Sequence, residues 1–218
     1  MANRMVKVYP RYERFWHWTQ MLLIVVLVVT GFGLNGLHGM IPFKLAVMLH
    51  TITALVLLSL WIFTGFWMIT TGTWKQFVPT TDGMLKVMRF YAYGIFKGEE
   101  HPHRKMYWRK HNPLQVIAYF GLTVLIFPAM WITGLLYLTY NFWEPMPQSA
   151  FWLEIVANLH LLVAYVIVSF VVLHIYLLTV GHGFREHVKP MMSGFEEIDL
   201  TPEQEAYLEK NEPWRLKG

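Results

Sequence analysis

Charged and apolar residues are segregated along this chain instead of interleaved. Four stretches, 15–43, 45–74, 111–143 and 155–184, contain no Asp, Glu, Lys or Arg. Each is 29 to 33 residues long. A run of about 20 apolar residues crosses a hydrocarbon core, so the pattern predicts four spanning helices, at about 15–36, 45–70, 114–139 and 152–180. Arg4, Lys7, Arg11 and Arg14 precede the first stretch, as basic residues precede a signal peptide. The apolar run from Phe15 to Leu34 is longer than a signal h-region, however, and no A-x-A site follows, which predicts a helix that is retained. In the 71–113 connection, Met84, Leu85, Val87, Met88, Tyr91 and Ile95 set an apolar face against Lys86 and Arg89. That spacing predicts a helix over 82–96 lying on the membrane surface. Beyond residue 190 the chain turns polar, and Thr201-Pro202-Glu203 has the composition of a helix start. The expected organisation is one membrane domain over 1–190 and a polar tail over 191–218. No internal repeat is legible.

Composition sharpens the class. Only 15% of the 218 residues are charged and 55% are hydrophobic, against about 25% charged in a soluble domain. A soluble fold is excluded. Of 18 Lys and Arg, all but Lys44 fall in 1–14, in 75–110 or from Arg185 onward. Four crossings return the chain to its starting side, and the excess of bases marks that side as the cytoplasm. This placement explains the net charge of +4 without a nucleic-acid partner. The expected fold class is an all-α integral membrane protein, a four-transmembrane-helix bundle with both termini inside. The absence of cysteine excludes thiolate zinc sites, iron–sulfur clusters and covalently attached haem. Trp16, Trp18, Trp67, Trp74, Trp143 and Trp152 fall at span ends, as an interfacial aromatic belt does.

Four of the ten histidines, His17, His50, His160 and His174, lie within the spans. Ionisable side chains at that depth mark functional sites. His160 and His174 are 14 residues apart on one helix, which is about 40° short of four turns and about 21 Å along the axis. They share a face, one in each leaflet. Alternating helix direction puts His17 on the inner side, His50 and His160 on the outer side, and His174 inside. The histidines therefore sort into an inner pair, His17 and His174, and an outer pair, His50 and His160, each drawn from two helices. Two facing imidazoles suit bis-histidine haem ligation. Zinc or copper would want more ligands, and a proton relay would want a carboxylate. Gly31, Gly33, Gly65, Gly121, Gly134 and Gly181 offer room for a macrocycle or for close helix contact. Arg4, Arg11 and Arg14 are candidates for haem propionates, and Pro128 predicts a kink in the third span.

These residues resemble the cytochrome b (gamma) subunit of membrane-bound respiratory formate dehydrogenase. More distantly, they are similar to the di-haem cytochromes b of nickel–iron hydrogenases and thiosulfate reductases. The resemblance covers about residues 8–190. It rests on Arg-Tyr-Glu-Arg-Phe-Trp-His-Trp at Arg11–Trp18, on the His160–His174 spacing with His50 early in the second span, and on His111-Asn112-Pro113-Leu114-Gln115. The last is similar to the family's Y-N-x-x-Q segment, with His111 where Tyr is expected. The resemblance implies two b-type haems and a quinone (menaquinone or ubiquinone) site on the cytoplasmic side formed by Asn112, Gln115 and His174. It implies residence in the bacterial inner membrane, an iron–sulfur partner subunit, and a catalytic dehydrogenase or reductase subunit. This chain would then transfer electrons and reduce quinone without being the primary catalytic subunit. On the residues alone, Asn112-Pro113 is equally a helix start with Asn as the N-cap. His101, His103, Glu99 and Glu100 are either a proton path or a solvated loop. A non-redox membrane anchor and a small metal or proton transporter are the rival classes.

Overall fold

The computed structural model describes residues 2–99, 102–103, 106–179 and 183–217. Gly181, Glu100 and His101, singled out above, lie outside the described residues. Strand β1 (Ala2–Lys7) leads into helix α1 (Arg11–Leu34), and α2 (Phe43–Thr71) follows a short turn. The connection carries α3 (Met84–Ala92). Helices α4 (Pro113–Leu138) and α5 (Ser149–Thr179) complete four helices long and apolar enough to cross a membrane. Helix α6 (Phe184–Ser193), strand β2 (Phe195–Leu200) and α7 (Pro202–Asn211) close the chain. The four helices agree with the predicted spans to within a few residues at each end.

The chain divides into two compact units. The first comprises residues 1–17, 71–120 and 175–218; the second comprises 18–70 and 121–174. In the first unit β1 and β2 pair antiparallel, with Met5 opposite Glu197 and Val6 opposite Glu196. Sequence reasoning assigned no strand to either end, because each strand is only six residues long and the adjacent acids Glu196 and Glu197 break the alternation in β2. Pairing hides that apolar set. Val6, Val8, Ile198, Leu200 and Leu208 form a buried cluster, with Tyr9, Tyr107 and Leu216 packed around it. Burial pushes the Tyr9 phenol above its ordinary range, and nearby Glu196 adds to the shift. Gly194 makes the bend into β2. Its φ is +89°, a Cβ there would come 2.9 Å from the Tyr9 carbonyl oxygen, and its own carbonyl accepts from the Val8 and Tyr9 amides at 2.9 and 3.1 Å. Only glycine satisfies all three conditions. The expected helix start at Thr201 is a full capping box: the Thr201 hydroxyl accepts from the Gln204 amide and the Gln204 side chain accepts from the Thr201 amide.

β1 precedes the first apolar helix and β2 follows the last, and the two strands meet within the first unit. The connection between α2 and α4 belongs to the same unit. The residues of that unit include 17 of the 18 basic residues. The amphipathic segment at 82–96 is a helix only over Met84–Ala92, followed by a 3₁₀ turn over Gly94–Lys97. It buries Val87 and Phe90 and turns Leu85 and Met88 outward.

In the second unit the spanning helices bury few residues in one another; Ala46, Leu57, Val163 and Ile167 are among them. Their exposed Leu, Val, Ile and Phe side chains match lipid. Tyr165 lies 5.9 Å from Phe32, and Trp131 lies 6.5 Å from Trp61, centroid to centroid. In α4 the residues Leu122–Ile126 adopt a π turn just before Pro128. Proline offers no amide hydrogen and its ring crowds the carbonyl four residues back, here Val124. A wider turn at that point relieves both conflicts. The fold predicts that Leu208→Ala destabilises the terminal unit by about 2–5 kcal/mol. The expected result is faster proteolysis of the 195–218 segment in native membranes, with an unchanged visible spectrum.

Candidate haem-binding site

Within the second unit His50 on α2 and His160 on α5 face each other, with ring centroids 6.4 Å apart and planes inclined at 69°. The sequence reading paired these two by depth alone. Each ring is held by a threonine on a neighbouring helix. His50 Nδ1 lies 2.9 Å from the Thr30 hydroxyl oxygen on α1, and His160 Nδ1 lies 3.0 Å from that of Thr133 on α4. Both hydroxyls donate to the carbonyl four residues back, Thr30 to Val26 at 2.7 Å and Thr133 to Ala129 at 2.7 Å. A hydroxyl has one proton. With that proton given to the helix, the oxygen accepts, and the imidazole supplies an Nδ1–H. The tautomer left on each histidine has its lone pair at Nε2.

The next residue in both helices is glycine. A Cβ on Gly31 would come 3.2 Å from His50 Cε1, and one on Gly134 would come 3.3 Å from His160 Cε1. These two glycines of the original set therefore serve the histidine rings directly. Gly33 serves another: a Cβ there would sit 2.9 Å from His38 Cε1. His38 itself anchors the turn after α1 by donating from Nε2 to the Val29 carbonyl at 2.8 Å. At Gly65 and Gly121 a Cβ would meet nothing within 4 Å.

The outer pair can be tested against a bis-imidazole metal centre. With metal–nitrogen bonds of about 2.0–2.1 Å and a ring radius of about 1.2 Å, two imidazoles on opposite sides of one metal have centroids about 6.4 Å apart. The observed separation is the same. Among the described residues no group of three or more His, Cys, Asp or Glu is placed to hold a metal ion. A pair of facing imidazoles suits an iron whose other four ligands come from a macrocycle.

Comparison with known proteins agrees. The chain matches the model of prokaryotic cytochrome b561 over residues 8–194. It belongs to that family. A protein of Escherichia coli (strain K12), "Putative cytochrome YdhU", is 32% identical over 198 residues, which is 87% of this chain and 74% of that protein. No solved structure matches. The family binds b-type haem, and with four apolar helices the chain is a multi-pass membrane cytochrome whose role is electron transfer. The rival reading as a non-redox anchor gives way to this one.

The other residues singled out in the sequence fall in one unit or the other. His17 belongs to the first and His174 to the second. The His174 ring stacks on Phe170, one turn earlier on α5, at 5.9 Å and 13°. Asn112 and Gln115 come together at the start of α4 as a reciprocal cap. The Gln115 amide donates to Asn112 Oδ1 at 2.9 Å, and the Asn112 amide donates to Gln115 Oε1 at 3.0 Å. Asn112 Nδ2 also donates to the Tyr91 hydroxyl at 3.2 Å, and burial raises the Tyr91 phenol above its ordinary value. The helix-start reading of Asn112-Pro113 therefore holds. The cap uses the Gln115 carbonyl oxygen and leaves its NH2 group to other partners. His111 sits between Phe77 at 5.4 Å and Tyr119 at 5.0 Å.

Two of the three arginines considered for propionates have other contacts. Arg4 pairs with Glu205 at 3.0 Å and Glu209 at 3.5 Å, and Arg14 donates to the Met192 carbonyl. Glu99 pairs with Arg89 at 2.8 Å.

Sequence reasoning missed a buried ion pair beside this segment. Lys110 contacts Glu13 at the start of α1, and both are under 10% exposed. Gln76 donates to the same carboxylate at 3.3 Å, and Lys110 Nζ stands 4.7 Å above the Tyr9 ring. Burial holds the Lys110 ammonium below its ordinary pKa, and Glu13 opposes that shift. The signal was present: Glu13 is the one acid among the first 81 residues. Breaking a buried pair from one side costs about 3–5 kcal/mol, whereas replacing both members by apolar or neutral groups is often nearly neutral. Lys110→Met should therefore destabilise the first unit strongly, and Glu13→Gln/Lys110→Met should recover most of the loss in thermal denaturation.

Proposed function

We propose that this chain is the di-haem cytochrome b subunit of a respiratory oxidoreductase. It would carry electrons from an iron–sulfur partner subunit on the outer side to menaquinone or ubiquinone on the cytoplasmic side of the bacterial inner membrane. The observation that carries this reading is the His50–His160 pair, with both Nδ1 atoms tied to threonine and a spacing that fits one metal. Haem b, when bound, supplies a reversible one-electron couple. His50 and His160 hold the outer haem. His17 and His174 hold the inner one, as their depth along α1 and α5 supports. The quinone headgroup lies beside His174, with Asn112 and Gln115 at the start of α4; the Gln115 NH2 is the donor left over from the cap. Quinone reduction on that side takes its protons from the cytoplasm, so inward electron movement is electrogenic.

Formate dehydrogenase is the complex best supported, by the Arg11–Trp18 segment that opens α1. Hydrogenase and thiosulfate reductase complexes use cytochromes of similar pattern, and the subunits that co-purify with the chain distinguish them.

Three measurements test the reading. Acid–acetone extraction should yield two haem b per chain, and a ratio of one removes the inner assignment. His50→Ala and His160→Ala should each abolish one and the same haem in a redox titration, while His17→Ala and His174→Ala abolish the other. For the quinone, Gln115→Glu keeps the capping oxygen and removes the NH2 donor. One lost buried hydrogen bond costs about 1–3 kcal/mol, so quinone affinity should fall about 5- to 150-fold with both haems retained. Unchanged quinone kinetics in that variant would move the site elsewhere.

A further inference from the structure

We propose that Thr30 and Thr133 are positioning residues of the outer haem, which fix the ligating tautomer of His50 and His160 and hold down the reduction potential of that haem alone. The inference rests on the assignment of His50 and His160 as ligands of one haem, and it adds a role for residues outside the ligand set. The same device occurs twice. In each case a threonine near the outer end of one helix faces the histidine of the following span, and a glycine follows the threonine. Both threonines are at most 3% exposed. Both hydroxyl protons are committed to the helix, at 2.7 Å to the carbonyl four residues back and at 3.3 or 3.1 Å to the one three residues back. The oxygen can only accept. It therefore selects the imidazole that carries its proton on Nδ1 and presents a lone pair at Nε2.

Two consequences follow for ligation. A flipped ring would put Cδ2 against the hydroxyl oxygen, and the other tautomer would put a bare nitrogen against an oxygen with no proton to give, so the ligating form is the one that satisfies both groups in hydrocarbon. Gly31 and Gly134 keep each ring at contact distance from the neighbouring helix, which limits its rotation. A hydrogen bond accepted from the distal N–H also raises the basicity of a ligand imidazole. A more basic ligand stabilises the ferric over the ferrous state. With one such bond to each histidine, the two effects would add on the couple of the haem that both hold. The pairs lie wholly within the second unit, so the effect belongs to the outer haem.

The test uses the full chain purified from membranes with its bound haem. The variants are Thr30→Val and Thr133→Val, which keep the shape and remove the oxygen, and Thr30→Ser and Thr133→Ser, which keep the oxygen. The readouts are haem-to-chain ratio, the two midpoint potentials, and the low-spin electron paramagnetic resonance signals. Outer-sphere substitutions change a metal site about 10- to 100-fold. Each valine variant should shift the outer reduction equilibrium toward ferrous about tenfold, or 59 mV for one electron, with the inner couple unmoved and serine restoring the original value. Loss of the outer haem alone in valine variants, with recovery in serine variants, supports the same role. An outer couple unmoved with haem present, or serine variants that behave as valine, overturns it while leaving the ligand assignment intact. If His50→Ala and His160→Ala both retain the outer haem, the ligand assignment falls and this role falls with it.

Discussion

A polar atom in hydrocarbon has no water to fall back on, so its partner must come from its own chain. That constraint organises the second unit. Each outer histidine brings two ring nitrogens into the apolar layer, and a threonine hydroxyl takes one of them. The hydroxyl in turn would be a liability in lipid, and the backbone carbonyl of its own helix absorbs its proton. The chain of hydrogen bonds thus runs from carbonyl to hydroxyl to imidazole Nδ1 and leaves Nε2 outside it. Thr64, buried in α2, bonds to the Leu60 carbonyl in the same manner. Back-bonding of this kind makes threonine tolerable in a spanning helix.

The first unit accommodates its polar groups differently. Its buried charges are paired, Lys110 with Glu13, and its exposed ones form surface pairs such as Arg4 with Glu205. Surface pairs of this type contribute little, so the apolar cluster of Val6, Ile198, Leu200 and Leu208 holds the two ends of the chain together. The buried pair has another consequence. It ties the residue just before His111-Asn112 to the first turn of α1, the same turn that precedes His17. The capped start of α4 is therefore held on two sides, by Glu13–Lys110 and by Tyr91 on Asn112.

Much of this was legible in the sequence for a simple reason. Charge is so costly in a bilayer that its absence over about 30 residues marks a span with little ambiguity. Helix direction and residue count then give depth, which is why His50 and His160 could be paired before any coordinates. What could not be read depends on neighbours. Strands β1 and β2 lie about 190 residues apart and have no meaning until they meet. Thr30 and Thr133 look like ordinary mid-helix threonines, and only the facing histidine gives them a role. The Thr-Gly dipeptide was a usable signal, since it occurs at Thr30, Thr64 and Thr133 within the spans, but weak, because threonine and glycine are both common helix-contact residues. For Asn112 and Gln115 the resemblance pointed to a quinone, while the local pattern pointed to a cap, and the cap is what the hydrogen bonds display.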